Sequence, residues 1–342
     1  MSLKYFFHKR YPHLDWIQVE ISSYCNAACT YCPHWVYRAN WRHRYLPLEI
    51  FQALIPAFKK TKLVYLQGWG EPFTHARFFD MLQIAKNAGC TVGTTTNGTL
   101  LDRRSIERMV NEGLDIIGFS LAGVDEKNDS IRRGTRIKKV LDCMAHINRV
   151  KNQNGTDHPR IHIAYMLLHS GLDDLEKLPG LLGNNGVFQT VVSSLSLVVS
   201  PEMVPEATLA SGEAEYLELK SRLLEVKEKS EKQGSALHFH LVSPLLEKRK
   251  CSENISRAIV IGSEGGMAPC VMTQIPVVGK NFYYFRGQRQ RLQTLTFGNL
   301  YYDRLNDVWH RKEHRRFIRK SLRGGVPGIC INCFKRYIDA LD

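Results

Sequence analysis

The run Trp16-Ile-Gln-Val-Glu-Ile-Ser22, followed by Cys25-Asn-Ala-Ala-Cys29-Thr-Tyr31-Cys32, decides how the rest of the chain is read. Its first part is short, apolar and β-branched, the pattern of a buried strand. The second part sets three thiols in a C-x3-C-x2-C loop at that strand's end, where α/β folds place their chemistry. The N-terminus, MSLKYFFHKRYP, has no apolar run long enough for a signal peptide, and no later stretch could span a bilayer. A cytoplasmic, thiol-reducing location without membrane attachment is therefore expected. Disulfides are disfavoured there, so the nine cysteines point to metal ligation or catalysis.

Outward from this loop the chain alternates strand and helix. Helical patterns run over Pro47–Lys60, His75–Ala88, Asp102–Glu112, Arg136–Lys151 and near Leu172–Leu182. Strands fall at Leu63–Gln67, Thr91–Thr96, Leu114–Leu121, Ile161–Leu168 and Val187–Val199. Six strands alternating with helices imply a parallel sheet with helical cover, as an open sheet or a partial barrel. Two prolines in Ser200–Gly212 break the rhythm, and a charged helix over Glu213–Gln233 leads to a region rich in Gly, aromatic residues and the remaining cysteines. The expected organisation is a core at 10–200, a helical linker at 201–244 and a small domain at 245–342.

Three neighbouring thiolates must converge on one site or lie idle. Zinc would require a fourth ligand, which His34 could supply; a cubane with one iron unligated by protein fits three cysteines directly. After the second strand comes Gly68-Trp69-Gly70-Glu71-Pro72, where two glycines let backbone approach a ligand closely and Glu71 can accept from an ammonium group.

Together these features resemble the radical S-adenosylmethionine (SAM) superfamily, with Tyr31 at the aromatic position of C-x3-C-x-aromatic-C and Gly68-Trp69-Gly70-Glu71-Pro72 near its Gly-Gly-Glu-Pro turn. The resemblance implies a partial (β/α)6 barrel, a 4Fe–4S cluster on Cys25, Cys29 and Cys32, and SAM chelated at the open iron. It further implies reductive cleavage of SAM to a 5′-deoxyadenosyl radical. Asn97, which ends the third strand, and Ser120, in the fourth, stand where relatives hold SAM, and Arg132 or Arg133 is the partner implied for its carboxylate. Ala122 stands where many relatives carry Asp. No residue is singled out as a catalytic acid or base.

The C-terminal region carries Cys251, Cys270, Cys330 and Cys333, resembling the Twitch module, the shortened form of the SPASM domain. Without the further cysteines of full SPASM, one auxiliary 4Fe–4S cluster is implied, closed by four thiolates; read from spacing alone, a four-cysteine zinc staple is the alternative. Cys90 and Cys143 read as small buried hydrophobes, and His146, His162 and His240 follow no ligand spacing.

The net charge of +14 is uneven: from Leu245 to Asp342 there are 18 Lys/Arg against 8 Asp/Glu. Its centre is Arg311, Lys312, Arg315, Arg316, Arg319, Lys320 and Arg323, either a solvated helix face with Trp309 and Phe317 behind it or a docking surface for an acidic electron donor such as flavodoxin or ferredoxin. No RNA-binding motif accompanies it. An auxiliary cluster suggests net oxidation, namely dehydrogenation, epimerisation or cross-linking of a peptide, protein side chain or polar small molecule. With little chain before the first strand, no appended peptide-recognition domain is expected. The competing readings are an RNA-modifying radical SAM enzyme and a zinc-stapled nucleic-acid-binding protein.

Overall fold

The computed structural model describes residues 11–243 and 251–341. All six expected strands form: β1 (Leu14–Val19), β2 (Thr61–Leu66), β3 (Thr91–Thr96), β4 (Ile116–Leu121), β5 (Arg160–Leu167) and β6 (Gln189–Ser194). Each pairs in parallel with the next. Parallel strands need long crossovers, which cover the sheet with helices. These include α1 (Phe78–Asn87), α2 (Arg103–Asn111), α3 (Ile137–Asn154) and α4 (Leu178–Asn184).

Local chemistry explains the helix limits. Asp102 accepts from the Ser105 backbone while Ser105 accepts from the Asp102 backbone, a reciprocal cap that starts α2. Gly155, at φ 62°, takes the left-handed turn that ends α3. The stretch 47–60, expected as one helix, is two short ones, Leu48–Gln52 and Ile55–Phe58. Pro56 is the reason: without an N–H it is tolerated in a helix's first turn but breaks an interior. Before α4, His169–Lys177 forms 3₁₀ turns, so the helix expected near Leu172–Leu182 is only partly regular.

The sheet does not stop at β6. After α5 (Glu213–Lys232), β7 (Ala236–Val242) pairs in parallel with β6. It buries Leu237, Phe239 and Leu241 in alternation, so residues 201–244, expected as a helical linker, contain a sheet strand. The junction at 244–250, where the C-terminal part was expected to begin, lies outside the described residues, as do residues 1–10 and 342. Beyond it come β8 (Ala258–Ile261), β9 (Gly266–Ala268), a hairpin of β10 (Phe282–Phe285) and β11 (Gln288–Arg291), β12 (Gly298–Asn299), the basic helix α6 (Lys312–Leu322) and β13 (Ile338–Leu341).

The eleven-stranded order is β12-β9-β8-β1-β2-β3-β4-β5-β6-β7-β13; the eight strands from β8 to β7 are mutually parallel, and the β8–β9, β9–β12 and β7–β13 pairs are antiparallel. The fold is the expected partial α/β barrel, an unclosed, parallel-dominated sheet whose two edges are both supplied by the C-terminal part. Phe51, Phe58, Phe78, Phe119, Tyr165 and Phe239 are among its fully buried side chains. Cys90 and Cys143 sit in the same core, and the Cys90 thiol donates to the Phe58 carbonyl at 3.2 Å.

Candidate functional site

The loop Cys25–Cys32 leaves the C-terminal end of β1 and packs its cysteines with Ala27, Tyr31, Ala122, Leu168, Leu195 and Val198. Burial in this apolar setting pushes the Cys25 thiol up to about 11. The Cys32 thiol is pushed up to about 12, by burial and then by the neighbouring Cys29. Cys25 and Cys32, whose thiols burial holds protonated, are matched to a cationic centre, which would hold them as thiolates.

The Gly68–Pro72 turn is pressed against this loop. A Cβ on Gly70 would lie 2.3 Å from the Ser22 carbonyl oxygen, and one on Gly68 would lie 2.2 Å from Glu20 Cγ. The glycines thus admit the loop and the Glu20 side chain to close contact. Glu71 donates its backbone N–H to the Tyr24 carbonyl at 2.7 Å. Its buried carboxylate accepts from Thr96 Oγ1 at 2.7 Å, Asn97 N at 2.8 Å and Phe73 N at 3.3 Å. Burial raises the Glu71 pKa and these donors oppose the rise. Glu71 is therefore a brace between the ends of β2 and β3. Asn97 continues the brace, donating from Nδ2 to Asn26 Oδ1 at 2.9 Å and lying 3.9 Å from Cys25 Sγ. Ser120 sits half-buried near the end of β4, opposite Ala164 of β5.

The two arginines, equivalent in sequence, are separated by the fold. Arg132 and Arg133 pair with Cys29 and Ala28 in a two-residue antiparallel ladder. Alternation turns Arg132 inward, buried, and leaves Arg133 exposed. Arg132 donates from Nη1 to the Tyr31 hydroxyl, and its buried Nε has no partner. Burial opposes the Arg132 charge, but Tyr31 and Cys29 outweigh it and its pKa is raised. His34, the possible zinc ligand, instead turns its ring to Trp41 and His43, at 5.2 and 5.5 Å between centroids.

Cys251, Cys270, Cys330 and Cys333 line one cavity of about 230 Å³, far larger than a single ion or water requires. Among the described residues no group of three or more His, Cys, Asp or Glu is arranged to hold a single metal ion. Four thiols around a shared space fit a multi-iron cluster. Burial raises all four, Cys330 up to about 12 with Cys270 and Cys333 adding to it. A Lys335–Glu253 ion pair at 2.9 Å stands in the same wall.

Two joints between these sites were not anticipated. Trp69, the residue inserted between the glycines, donates its indole N–H to the Gln274 carbonyl at 2.8 Å and the Val271 carbonyl at 3.2 Å, just after Cys270. Glu20 accepts from Trp69 N at 2.7 Å and Ser263 Oγ at 2.9 Å. An acidic residue inside the apolar run Trp16–Ser22 was the available signal, because such a group must find donors when buried.

A family model for the radical SAM superfamily matches residues 19–178, and one for SPASM, an iron–sulfur cluster-binding domain, matches residues 251–334. The chain belongs to the radical SAM superfamily. Members of this superfamily are enzymes. This one carries a SPASM domain, and its cofactors are SAM, a 4Fe–4S cluster and auxiliary iron–sulfur centres. The tungsten-containing aldehyde ferredoxin oxidoreductase cofactor-modifying protein of Pyrococcus furiosus is 25% identical over 338 residues, 96% of this chain and 89% of that protein. Among solved structures, SuiB of Streptococcus suis bound to S-adenosylmethionine superposes with a TM-score of 0.66 at 17% identity, covering 96% of this chain and 72% of SuiB. The anSMEcpe structure with AdoMet and the Cp18Cys peptide gives 0.65 at 16% identity, covering 95% and 88%. No described helix of this radical SAM protein is long and apolar enough to cross a membrane.

Proposed function

We propose that this enzyme cleaves SAM reductively at a cluster held by Cys25, Cys29 and Cys32, and that the resulting 5′-deoxyadenosyl radical takes hydrogen from a substrate in a net oxidative modification. The observation that carries the reading is the triplet itself: Cys29 buried and Cys25 and Cys32 half-buried in one apolar cluster at the end of β1, beside the buried cation Arg132. When bound, the cluster supplies the electron that splits the sulfonium C–S bond. Arg132, whose Nε lacks a partner, pairs with the SAM carboxylate, while exposed Arg133 does not. Carbonyls of the Gly68–Gly70 turn accept from the SAM amino group; Asn97 and Ser120 orient the rest of the molecule. Glu71 and Tyr31 position these groups, and the surrounding apolar side chains exclude water.

Cys251, Cys270, Cys330 and Cys333 close one auxiliary 4Fe–4S centre without an open iron, suited to accept an electron from the substrate. The substrate is a peptide, a protein side chain or a polar small molecule. The Pyrococcus relative is named for modifying a cofactor, and SuiB has been crystallised with a precursor peptide, so both kinds have support. An acidic electron donor docks on α6, where Arg315, Arg316, Arg319 and Lys320 are exposed and Phe317 and Ser321 line the cysteine cavity.

Anaerobic reconstitution tests the whole reading. Metal analysis should find about eight irons per chain and little zinc, and a chemical reductant should release 5′-deoxyadenosine from SAM. Roughly four irons with stoichiometric zinc would make the C-terminal site a structural staple; zinc alone would sink the proposal.

A further inference from the structure

A second cavity, of about 360 Å³, opens beyond the ends of β6 and β7. Val198, Val204, Tyr284 and Phe334 line it, and the same four side chains pack in the apolar group that contains Cys25, Cys29 and Cys32. The cavity therefore shares a wall with the thiol triplet. Its other side is closed by Tyr337 and by the tip of the β10–β11 hairpin, Arg286-Gly287.

Arg286 is conformationally unusual. Its φ is 49°, the only positive value at a non-glycine position among the described residues. A two-residue hairpin turn of this kind favours Asn, Asp or Gly, and an L side chain as large as Arg is accommodated there against a steric cost. Strain that persists at a cavity rim is a pointer to function. The guanidinium carbon lies 4.8 Å from the Tyr337 ring centroid and 5.6 Å from that of Phe285, so two rings hold the cation at the rim. Arg286 forms no ion pair with a carboxylate among the described residues. A pocket with apolar side chains along one wall and, at its rim, a ring-supported guanidinium that no described carboxylate neutralises has the chemistry to recognise an anion on an apolar body.

We propose that this cavity is the substrate pocket and that Arg286 anchors an anionic group of the substrate, a carboxylate or a phosphate. The apolar body then lies against Tyr284 and Phe334, directed toward the cysteine triplet. The inference rests on the radical SAM reading above and adds a substrate class to it.

Three probes sharing one aromatic ring test it: N-acetylphenylalanine, phenyl phosphate and the neutral N-acetylphenylalaninamide, titrated into reconstituted holoprotein and followed by ligand-observed NMR. At least one anion should saturate the wild type about tenfold more tightly than the amide, the scale of one charge-assisted contact. The tighter of the two anions identifies carboxylate or phosphate as the recognised group. Arg286→Asn should reduce the preference to near unity, and Arg286→Lys should keep part of it. Asn tolerates positive φ, so the Arg286→Asn protein should melt no lower than the wild type, which separates lost charge from lost fold. Absence of saturable anion binding to the wild type would overturn the proposal, as would a preference that survives Arg286→Asn. Wild-type release of 5′-deoxyadenosine, measured alongside, tests the underlying radical chemistry; its failure leaves the probe titrations to be judged separately.

Discussion

The two cysteine sites solve different problems. The triplet spans eight residues of one loop, and that loop is held by groups other than metal: the Glu71 brace, Asn97, and the ladder to Arg132 and Arg133. The quartet is gathered from Cys251 to Cys333 across 83 residues, and a cavity lies between its members. A pre-braced loop can lose its cluster and keep its shape. A cavity walled by distant loops depends on its contents, because metal-binding free energy there is folding free energy. If the proposed ligand assignment holds, the difference teaches that the seven cysteines divide into a reactive set on a braced loop and a closing set that is itself scaffold.

The largest effect expected is at the triplet. Cys29→Ala should take 5′-deoxyadenosine release to background while the melting temperature of the cluster-free protein stays within a few degrees of wild type. A melting temperature that collapses instead would show the loop to be as metal-dependent as the quartet. Second, Cys330→Ala with Cys333→Ala should abolish product, lower the melting temperature and leave part of the uncoupled SAM cleavage. If the folded double variant made full product, the auxiliary centre would be purely structural, and the inference of an oxidative reaction would go with it.

A smaller effect is expected at α6. Replacing Arg315, Arg316 and Arg319 by Ser should slow turnover severalfold with flavodoxin at low salt and leave turnover with a chemical reductant unchanged. The difference should shrink toward molar salt, where the Debye length falls to about 3 Å. Equal loss with both reductants would assign the helix to folding or substrate binding. Smallest of the four, Trp69→Phe removes two hydrogen bonds joining the sites and should cost about 1 kcal/mol of stability in denaturant melts. No change there would mean the two sites are coupled by packing alone.

What could be read from sequence was what is local. The cysteine spacings, the Gly-Trp-Gly-Glu-Pro turn and the βα alternation each lie within a few residues, and the corresponding elements form. The pairing of Trp16 with Ala258 leaves no local trace, so the sheet's extension by β8 was not legible. Strand β7 was legible in Ala236–Val242, whose Leu237, Phe239 and Leu241 alternate, but lay in the shadow of the charged helix before it. Pro56 carried the break in the 47–60 helix in plain view. Alternation says that Arg132 and Arg133 point opposite ways, but which one faces inward depends on the tertiary ladder to Cys29. On α6, His314 is the buried residue, its ring set against Phe297 and against Trp309 ahead of the helix, while Phe317 packs on Phe297; Trp309 and Phe317 are only partly covered.

The placement of β8 and β13 bears on biosynthesis. Until residues 258–261 and 338–341 leave the ribosome, β1 and β7 are bare edges of a seven-stranded parallel sheet, each offering an unpaired row of N–H and C=O groups. Such edges invite pairing with other nascent chains, and slow parallel sheets prolong the exposure. The late-made segments therefore act as built-in guards against aggregation, and a chain cut short after Val242 would be expected in inclusion bodies even with its SAM-binding half intact.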